Sequence, residues 1–183
     1  MSSSTIVSVL VIISVLDTWH VSAFTVTNCM PDQQNNSDNI LSIIDAHINP
    51  SDIVAPGNLL VRVNLDILRN VTSDLDLSVV IKKKVWRFWI TIHRRTHSLC
   101  GVLDREFLEV DGTNDCPNQL VDAGLPCRCP FTQGRYSLPE SSFYINQPIY
   151  FAYGQYWTQA LLRDPNTGAL KACYVMELNL SRP

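Results

Sequence analysis

Residues 59–67 read LLVRVNLDI, and this stretch decides the fold class. Apolar side chains occupy every second position from Val61 to Ile67, and polar side chains stand between them: Arg62, Asn64 and Asp66. Successive side chains of a strand point to opposite faces of a sheet. The period of two therefore predicts a β-strand with one buried and one solvated face.

The same alternation recurs in residues 75–81, 85–92 and 170–180. In the second of these, Trp86, Phe88, Ile90 and Ile92 would share a face. Trp89 falls on the other face, so the strand either bulges or leaves Trp89 partly exposed. Turn signals separate the strands, at residues 55–58, 111–112 and 164–168, and only residues 101–110 offer a short helix. The pattern predicts one all-β sandwich of half-buried antiparallel strands.

The composition of the 183 residues is that of a globular chain, with 46% hydrophobic and 17% charged side chains. One domain is expected for this length. Fourteen Lys and Arg against seventeen Asp and Glu give a net charge of −3. This balance argues against a nucleic-acid partner, which would require a generally basic surface.

The N-terminal segment indicates the secretory route. Residues 6–16 read IVSVLVIISVL, a run too short to span a bilayer, and Val21-Ser22-Ala23 follows as a small-residue cleavage site. We expect residues 1–23 to be a signal peptide and residues 24–183 to be the domain. The alternative is a buried N-terminal strand. A secreted or lysosomal location follows from the first interpretation.

All six cysteines lie in residues 24–183: Cys29, Cys100, Cys116, Cys127, Cys129 and Cys173. An even number on the secretory route predicts three disulfides, for which about fifteen connectivities exist. A zinc site is the alternative, but Cys127 and Cys129 have C-x-C spacing and no further pair completes four ligands. Three sequons are candidate glycosylation sites: Asn35, Asn70 and Asn179. Asn179 stands in a strand pattern.

Catalytic patterns are missing from the sequence: there is no G-x-S-x-G elbow and no phosphate-binding glycine loop. His93 and His97 have the spacing of helical metal ligands, but Arg94 stands where a zinc protease has glutamate, and a solvated basic loop is the better interpretation. Asp74 and Asp76 fit a solvated strand face better than a carboxylate pair. We expect no catalytic residue, no metal and no cofactor.

Basic and aromatic residues are interleaved in residues 82–95. Six of the fourteen basic residues lie there, with Trp86, Phe88 and Trp89 among them. Such a segment can sit at an anionic lipid surface, the rings at head-group depth and the cations near the phosphates. A strand with a solvated cationic face is the alternative, and the sequence leaves both open.

Residues 124–143, GLPCRCPFTQGRYSLPESSF, resemble the central motif of the ganglioside-activator members of the ML-domain family, which recognises lipids. The match includes Pro126, Pro130, Phe131, Gly134 and Tyr136 together with both cysteines and the run Ser137-Leu138-Pro139. Further pieces follow in the same order along the chain: Asn28-Cys29, Pro56-Gly57-Asn58, Trp89-Ile90, Cys100 with residues 102–104, and Cys173.

The resemblance implies an immunoglobulin-like sandwich of two antiparallel sheets that forms a cup around an apolar lipid cavity. It implies the disulfides Cys29–Cys173, Cys100–Cys129 and Cys116–Cys127. It also implies a non-enzymatic protein that extracts a glycolipid or phospholipid from a membrane and presents it to a glycosidase such as a lysosomal hexosaminidase. The alternative function is lipid carriage without enzyme activation. Residues alone favour a filled core over a hollow one, because strand patterns usually pack together.

Two local features bear on lipid contact. Residues 148–154 read PIYFAYG, and the resemblance implies an apolar loop at the rim that carries Tyr150, Phe151 and Tyr153. The alternative is that Phe151 plugs the core. With Trp86, Phe88, Trp89 and Ile90, these are the candidate lipid-binding residues.

The segment from His93 to Leu99 lacks two cysteines of the family pattern. The resemblance therefore does not imply that this chain has the family's ganglioside and hexosaminidase specificity.

Overall fold

The computed structural model describes residues 24–31, 38–54, 56–107, 116–145 and 153–181. The described chain forms two short helices, α1 (Leu99–Phe107) and α2 (Asn118–Asp122). Its strands are β1 (Phe24–Asn28), β2 (Leu41–Asn49), β3 (Asp52–Val54), β4 (Gly57–Ile67), β5 (Asp76–Val85), β6 (Phe88–Ser98), β7 (Gly134–Ile145), β8 (Gly154–Arg163) and β9 (Leu170–Ser181).

The strands form two sheets that face each other. The larger sheet has the order β1-β9-β8-β5-β6, with β3 paired to the end of β9, and the smaller has the order β2-β4-β7. The predicted all-β sandwich is confirmed. It is antiparallel except at β3, where Asp52–Val54 runs parallel to residues 179–181.

Strand β4 shows why the alternation in residues 59–67 was a reliable signal. Its polar face is solvated and bonded to both neighbours, with Arg62 paired to Asp45 at 3.2 Å and Asp66 to Arg135 at 2.9 Å. The hydrogen bond from Arg135 lowers the pKa of the Asp66 carboxyl. Its apolar face carries Leu65, which faces the larger sheet. We call this side of each sheet the inner face.

The two sheets are joined along one long side. There β1 lies beside β2, and β3 lies beside β4. The hydroxyl of Tyr174 in β9 accepts a hydrogen bond from the Ile43 amide at 2.9 Å and donates one to the Leu41 carbonyl at 3.1 Å. The Ile40 amide donates to the Lys171 carbonyl at 3.0 Å. On the opposite side, the edge strands β6 and β7 belong to different sheets.

The end of the sandwich where β4 finishes and β5 begins is closed by α1, α2 and residues 124–133. We call it the α1 end. Val71 and Phe131 exchange backbone hydrogen bonds there, and the disulfides Cys100–Cys129 and Cys116–Cys127 tie α1 and the segment before α2 to this region. Strand β5 runs away from it, so the turn between β5 and β6 lies at the other end, about 30 Å away at 3.3 Å per residue.

The sequence suggested that Asp74 and Asp76 share a solvated strand face, but Asp74 lies outside the strand. Instead it caps the N-terminus of α1. Its carboxylate accepts hydrogen bonds from the Cys100 amide at 3.0 Å, from the Leu75 amide at 2.9 Å and from the Ser98 hydroxyl. The Ser98 oxygen in turn accepts from the Gly101 amide at 2.9 Å. These contacts satisfy amides that a helix start leaves without partners, and they lower the pKa of Asp74.

We expect Asp74→Ala to reduce the free energy of unfolding by about 1 kcal/mol, the usual value of a helix cap. Because the folded pKa of Asp74 lies below its unfolded value, its contribution is complete above the unfolded pKa and disappears as the pH falls through the folded one. Urea unfolding of both proteins at pH 7 and pH 2 measures the difference. An equal difference at both pH values would contradict the charged cap.

Residues 85–92 do not form one strand. Trp86 and Arg87 form a two-residue turn that joins β5 to β6, with Val85 opposite Phe88. Trp86 has φ of 60°, the conformation that such tight hairpin turns require. A register shift between Thr91 and His93 then leaves Ile92 as a bulge. The expected shared face is therefore wrong for Trp86, which lies in the turn, and for Ile92, which lies in the bulge. It is correct for Phe88 and Ile90, which point inward, and Trp89 lies on the other face and is 39% exposed, as expected.

Candidate functional site

The inner faces of both sheets form one continuous apolar surface. The smaller sheet contributes side chains from three strands, among them Ile43, Val63, Leu65, Leu138 and Phe143. The larger sheet contributes Val79, Ile81, Ala160, Tyr174 and Met176. The register assigns each of these residues to the side that faces the opposite sheet.

This surface is incompletely filled by the described chain. Val61, Val63 and Leu65 lie in the central strand of the smaller sheet but are only half-buried. Val79, Ile81 and Ala160 are likewise half-buried in central strands of the larger sheet. In a close-packed sandwich such positions are fully buried. The space between the sheets can therefore accept further apolar groups.

A distinct cavity of about 260 Å³ lies between the sheets at the α1 end. Its walls come from β2, β4, β8 and α1, and include Leu41, Leu65, Ile67, Leu99, Leu103 and Leu162. The Tyr136 ring also lines it, but the Tyr136 hydroxyl is already bonded to the Thr132 carbonyl at 2.9 Å. The cavity volume lies just below the roughly 300 Å³ at which small-molecule sites begin, and the cavity offers almost no polar partner. It is suited to a hydrocarbon group.

The residues of α1 that line this cavity were not identified from the sequence. Leu99 and Leu103 are one helical turn apart and line the same wall. The sequence placed the helix at residues 101–110, which left Leu99 outside it. An i, i+4 search that began at Leu99 would have found the pair. Leu125 and Phe131 lie in irregular chain, where no periodicity marks the side that faces inward.

Apolar side chains protrude from the other end of the sandwich. We call residues 85–90 the hairpin tip. Trp86 is 92% exposed there and Phe88 is 71% exposed. Val85, Trp89 and Ile90 are also exposed. A contiguous exposed apolar group of this kind marks an interaction surface.

Lysines accompany the aromatic rings of β5, β6 and β8. Lys82 Nζ lies 4.2 Å from the centre of the Trp157 ring, and Lys84 Nζ lies 5.9 Å from the Trp89 ring, both on the outer face. Lys83 Nζ lies 5.8 Å from the Tyr156 ring on the inner face. Burial raises the pKa of the Tyr156 hydroxyl. The sheet therefore carries cations on both faces close to the hairpin tip.

The candidate lipid-binding residues fall into two groups in the structure. Trp86, Phe88, Trp89 and Ile90 come together at the hairpin tip. Tyr153 is 42% exposed and directly precedes β8, whose first residues pair with Lys83 near the same end. Tyr150 and Phe151 lie outside the described residues.

The structure forms the disulfides Cys29–Cys173, Cys100–Cys129 and Cys116–Cys127, the pairing that the resemblance implies. Asn70 is exposed, and its side-chain oxygen accepts a hydrogen bond from the Gln133 amide at 2.7 Å. Asn179 lies in β9 as the pattern predicted, and its amide donates to Asp52 at 3.0 Å. Asn35 lies outside the described residues.

His93 and His97 do not lie in a loop, because β6 continues to Ser98. Both point to the inner face of the larger sheet. Within the described ranges, no three His, Cys, Asp or Glu side chains are grouped as metal ligands. Neither described helix has the length and apolar character needed to cross a bilayer.

Comparison with known proteins adds a family match. A sequence model of the ML domain matches residues 23–180. The Macaca fascicularis protein named ganglioside GM2 activator is 32% identical over 136 residues, which cover 68% of this chain and 70% of that protein. The Mus musculus protein of the same name is 30% identical over 125 residues, with 63% of each chain covered.

Among solved structures, a Niemann-Pick type C2 protein from the Japanese carpenter ant superposes with a TM-score of 0.43 at 10% identity. The superposition covers 86% of this chain and 99% of that one. The likeness is too distant to carry an argument about this chain.

Proposed function

Because the chain belongs to the ML-domain family of lipid-binding proteins, we propose that it takes the hydrocarbon part of a membrane lipid into the space between its sheets and carries the lipid out of the bilayer. The observation that carries this proposal is the half-buried inner face. Apolar groups left partly exposed between two sheets gain roughly 25 cal/mol for each Å² that a ligand covers. The cavity at the α1 end receives the deepest part of the hydrocarbon.

The hairpin tip supports contact with the membrane. Trp86 is almost fully exposed and also has a positive φ, which costs a residue other than glycine about 1 kcal/mol. Packing within the described chain offsets neither the exposure of the Trp86 ring to water nor the positive φ. Both are offset if the ring enters a lipid interface, where tryptophan is favoured. Lys82, Lys84 and Arg87 would then face anionic head groups, each worth about 1 kcal/mol.

The finer proposal is that the protein presents a glycolipid to a glycosidase, such as a lysosomal hexosaminidase, and has no catalytic activity of its own. The relatives that carry the name ganglioside GM2 activator support it. A secreted or lysosomal location, after removal of residues 1–23, belongs to the same proposal. An extracellular lipid carrier without an enzyme partner is the second candidate. It is favoured by the segment His93–Leu99, where this chain departs from the family pattern.

The test of lipid uptake uses Leu103→Trp, which places a large ring in the cavity at the α1 end. We expect this variant to transfer a fluorescent phospholipid between vesicles at least five times more slowly than the unchanged protein, because the space for the hydrocarbon is filled. Leu68→Trp adds the same ring at an exposed position and is the control. Equal transfer rates for the two variants would contradict uptake into this cavity.

The test of activation measures the hydrolysis of vesicle-bound ganglioside by a lysosomal hexosaminidase, with and without the protein. We expect hydrolysis to depend on the protein and to be reduced by Leu103→Trp. Lipid transfer without any stimulation would reject the activator and leave the carrier. Native mass spectrometry of the purified protein would identify the lipid that it retains.

A further inference from the structure

The inner faces of the described strands are mostly apolar, and the basic side chains on them lie in the neighbouring strands β5 and β6. Strand β6 carries His93, Arg95 and His97 at every second position on its inner face. We call these three residues the inner row. Lys83 in β5 is the remaining cation on the inner faces of the described strands. No carboxylate occupies an inner-face position in them.

The register of the larger sheet fixes this orientation. His97 is opposite Leu77, and Leu77 is opposite Leu162, which lines the cavity at the α1 end. Residues directly opposite each other on paired strands share a face. By the same pairing, Arg95 is opposite Val79 and Val79 is opposite Ala160, so all three share the inner face. The inner row therefore runs along the same surface that receives the hydrocarbon.

Position in the sheet separates the inner row from the deep cavity. Strand β6 is the edge of the larger sheet, on the side opposite the junction of the two sheets. His93 and His97 are half-buried, and Arg95 is exposed. A polar group placed against the inner row can remain in contact with water, while a hydrocarbon attached to it lies between the sheets. This arrangement matches the two parts of an amphiphilic lipid.

Within the described residues, no carboxylate forms an ion pair with the basic side chains of the inner face. None of the ion pairs of the described chain includes Lys83, Arg95 or either histidine. Because Arg95 is exposed, water solvates its charge in the absence of a ligand, and its guanidinium group is open to an anion. Arginine binds phosphate through two parallel hydrogen bonds, and neutral or protonated histidine can donate another.

We propose that the inner row, with Arg95 at its centre, binds the phosphate of a lipid whose hydrocarbon lies between the sheets. This inference rests on the proposed lipid uptake and adds the class of head group. The competing explanation is that inward-facing charges on an edge strand only prevent β6 from pairing with another chain. That explanation predicts no preference among lipid head groups.

The experiment compares three probes by isothermal titration calorimetry, with both lipids below the concentrations at which they aggregate in water. Oleoyl lysophosphatidic acid carries the hydrocarbon and the phosphate, monoolein carries only the hydrocarbon, and glycerol 3-phosphate carries only the phosphate. We expect lysophosphatidic acid to bind at least tenfold more tightly than monoolein and glycerol 3-phosphate to bind much more weakly than either. Arg95→Ala removes the tenfold preference and leaves the affinity for monoolein unchanged, which also shows that the variant is folded.

Two further variants complete the test. Arg94→Ala removes the same charge from the outer face of the same strand and should retain the preference. Arg95→Lys should retain part of it, because the charge remains but the paired donors do not.

The outcomes separate this inference from the proposed function. Equal binding of lysophosphatidic acid and monoolein overturns the inner-row site while lipid uptake stands. Binding of neither lipid overturns both. Binding of glycerol 3-phosphate as tight as that of lysophosphatidic acid overturns the lipid source of the phosphate. If Arg95→Ala self-associates and still prefers lysophosphatidic acid to monoolein, the inward charges serve to prevent β6 from pairing with another chain.

Discussion

Replacing Trp86 and Phe88 together by serine is expected to weaken binding to anionic vesicles by about a hundredfold. Partial burial of the two rings in a lipid interface is worth roughly 3 kcal/mol in total, and each 1.4 kcal/mol is a factor of ten. The thermal midpoint should hardly change, because both rings are exposed in the folded protein. Co-sedimentation with phosphatidylserine vesicles at low salt, together with a thermal melt, measures both quantities.

A matched control is available at the α1 end. Val121 in α2 is 52% exposed, and Val121→Ser also removes an exposed apolar side chain. Its vesicle affinity should equal that of the unchanged protein if the hairpin tip is the part that enters the interface. A similar loss in both variants would indicate general surface hydrophobicity. A thermal midpoint many degrees lower in the double variant would show that the rings pack within the protein.

Removal of the Cys29–Cys173 disulfide is expected to have the largest effect on stability. The bond connects residues 144 positions apart, and in the loop-entropy model a closed loop of this length stabilises the fold by about 5 kcal/mol. That is comparable with the whole free energy of unfolding of many domains. Cys29→Ala combined with Cys173→Ala should therefore unfold at a much lower urea concentration, or fail to fold at 37 °C.

The bond Cys116–Cys127 provides the comparison, since it spans only 11 positions. The same model gives it about 3 kcal/mol. Urea titrations of the two double variants should show a clearly lower midpoint for the pair without Cys29–Cys173. Equal midpoints would mean that loop length does not determine the effect in this chain.

The sequence predicted strands well where one face is solvated and the other is not. In β4, Arg62 and Asp66 pair with neighbours on the outer face while Leu65 lines the cavity, and such a strand keeps a strict period of two. In β9 the same period of two holds, and Tyr174 points inward. The turn after β8 also matched, because Asp164 accepts hydrogen bonds from the Asn166 and Thr167 amides and carries a lowered pKa.

The hairpin tip could not be predicted in the same way. Two-residue hairpin turns are recognised by glycine, asparagine or aspartate, which tolerate a positive φ. Here Trp86 and Arg87 form the turn, so the segment resembled one continuous strand. The bulge at Ile92 then shifted the alternation, so that odd-numbered residues face inward from His93 onward. The inner row was missed for the same reason, because its orientation depends on register and not on residue type.

Sequence patterns also could not predict that the interior is incompletely filled. Val63 and Val79 would show the same alternation in a filled sandwich and in an open one. Only their half-buried state in central strands distinguishes the two. The resemblance to the ML-domain family replaced the expected filled core by a cup with a cavity, which was correct. It rests on the motif in residues 124–143 and not on the strand patterns.

The junction of the sheets along one long side has a mechanical consequence. Tyr174 and the Ile40–Lys171 hydrogen bond hold the sheets together at β9, whereas β6 lies about 14 Å away across three strand spacings. A rotation of about 5° around the junction would therefore displace the β6 edge by about 1 Å, a length of arc that follows from the strand spacing. Because the Cys100–Cys129 disulfide connects the end of β6 with the segment before β7, such a rotation would widen the interior mainly towards the hairpin tip. One rigid pair of sheets can in this way accommodate hydrocarbons of different cross-section.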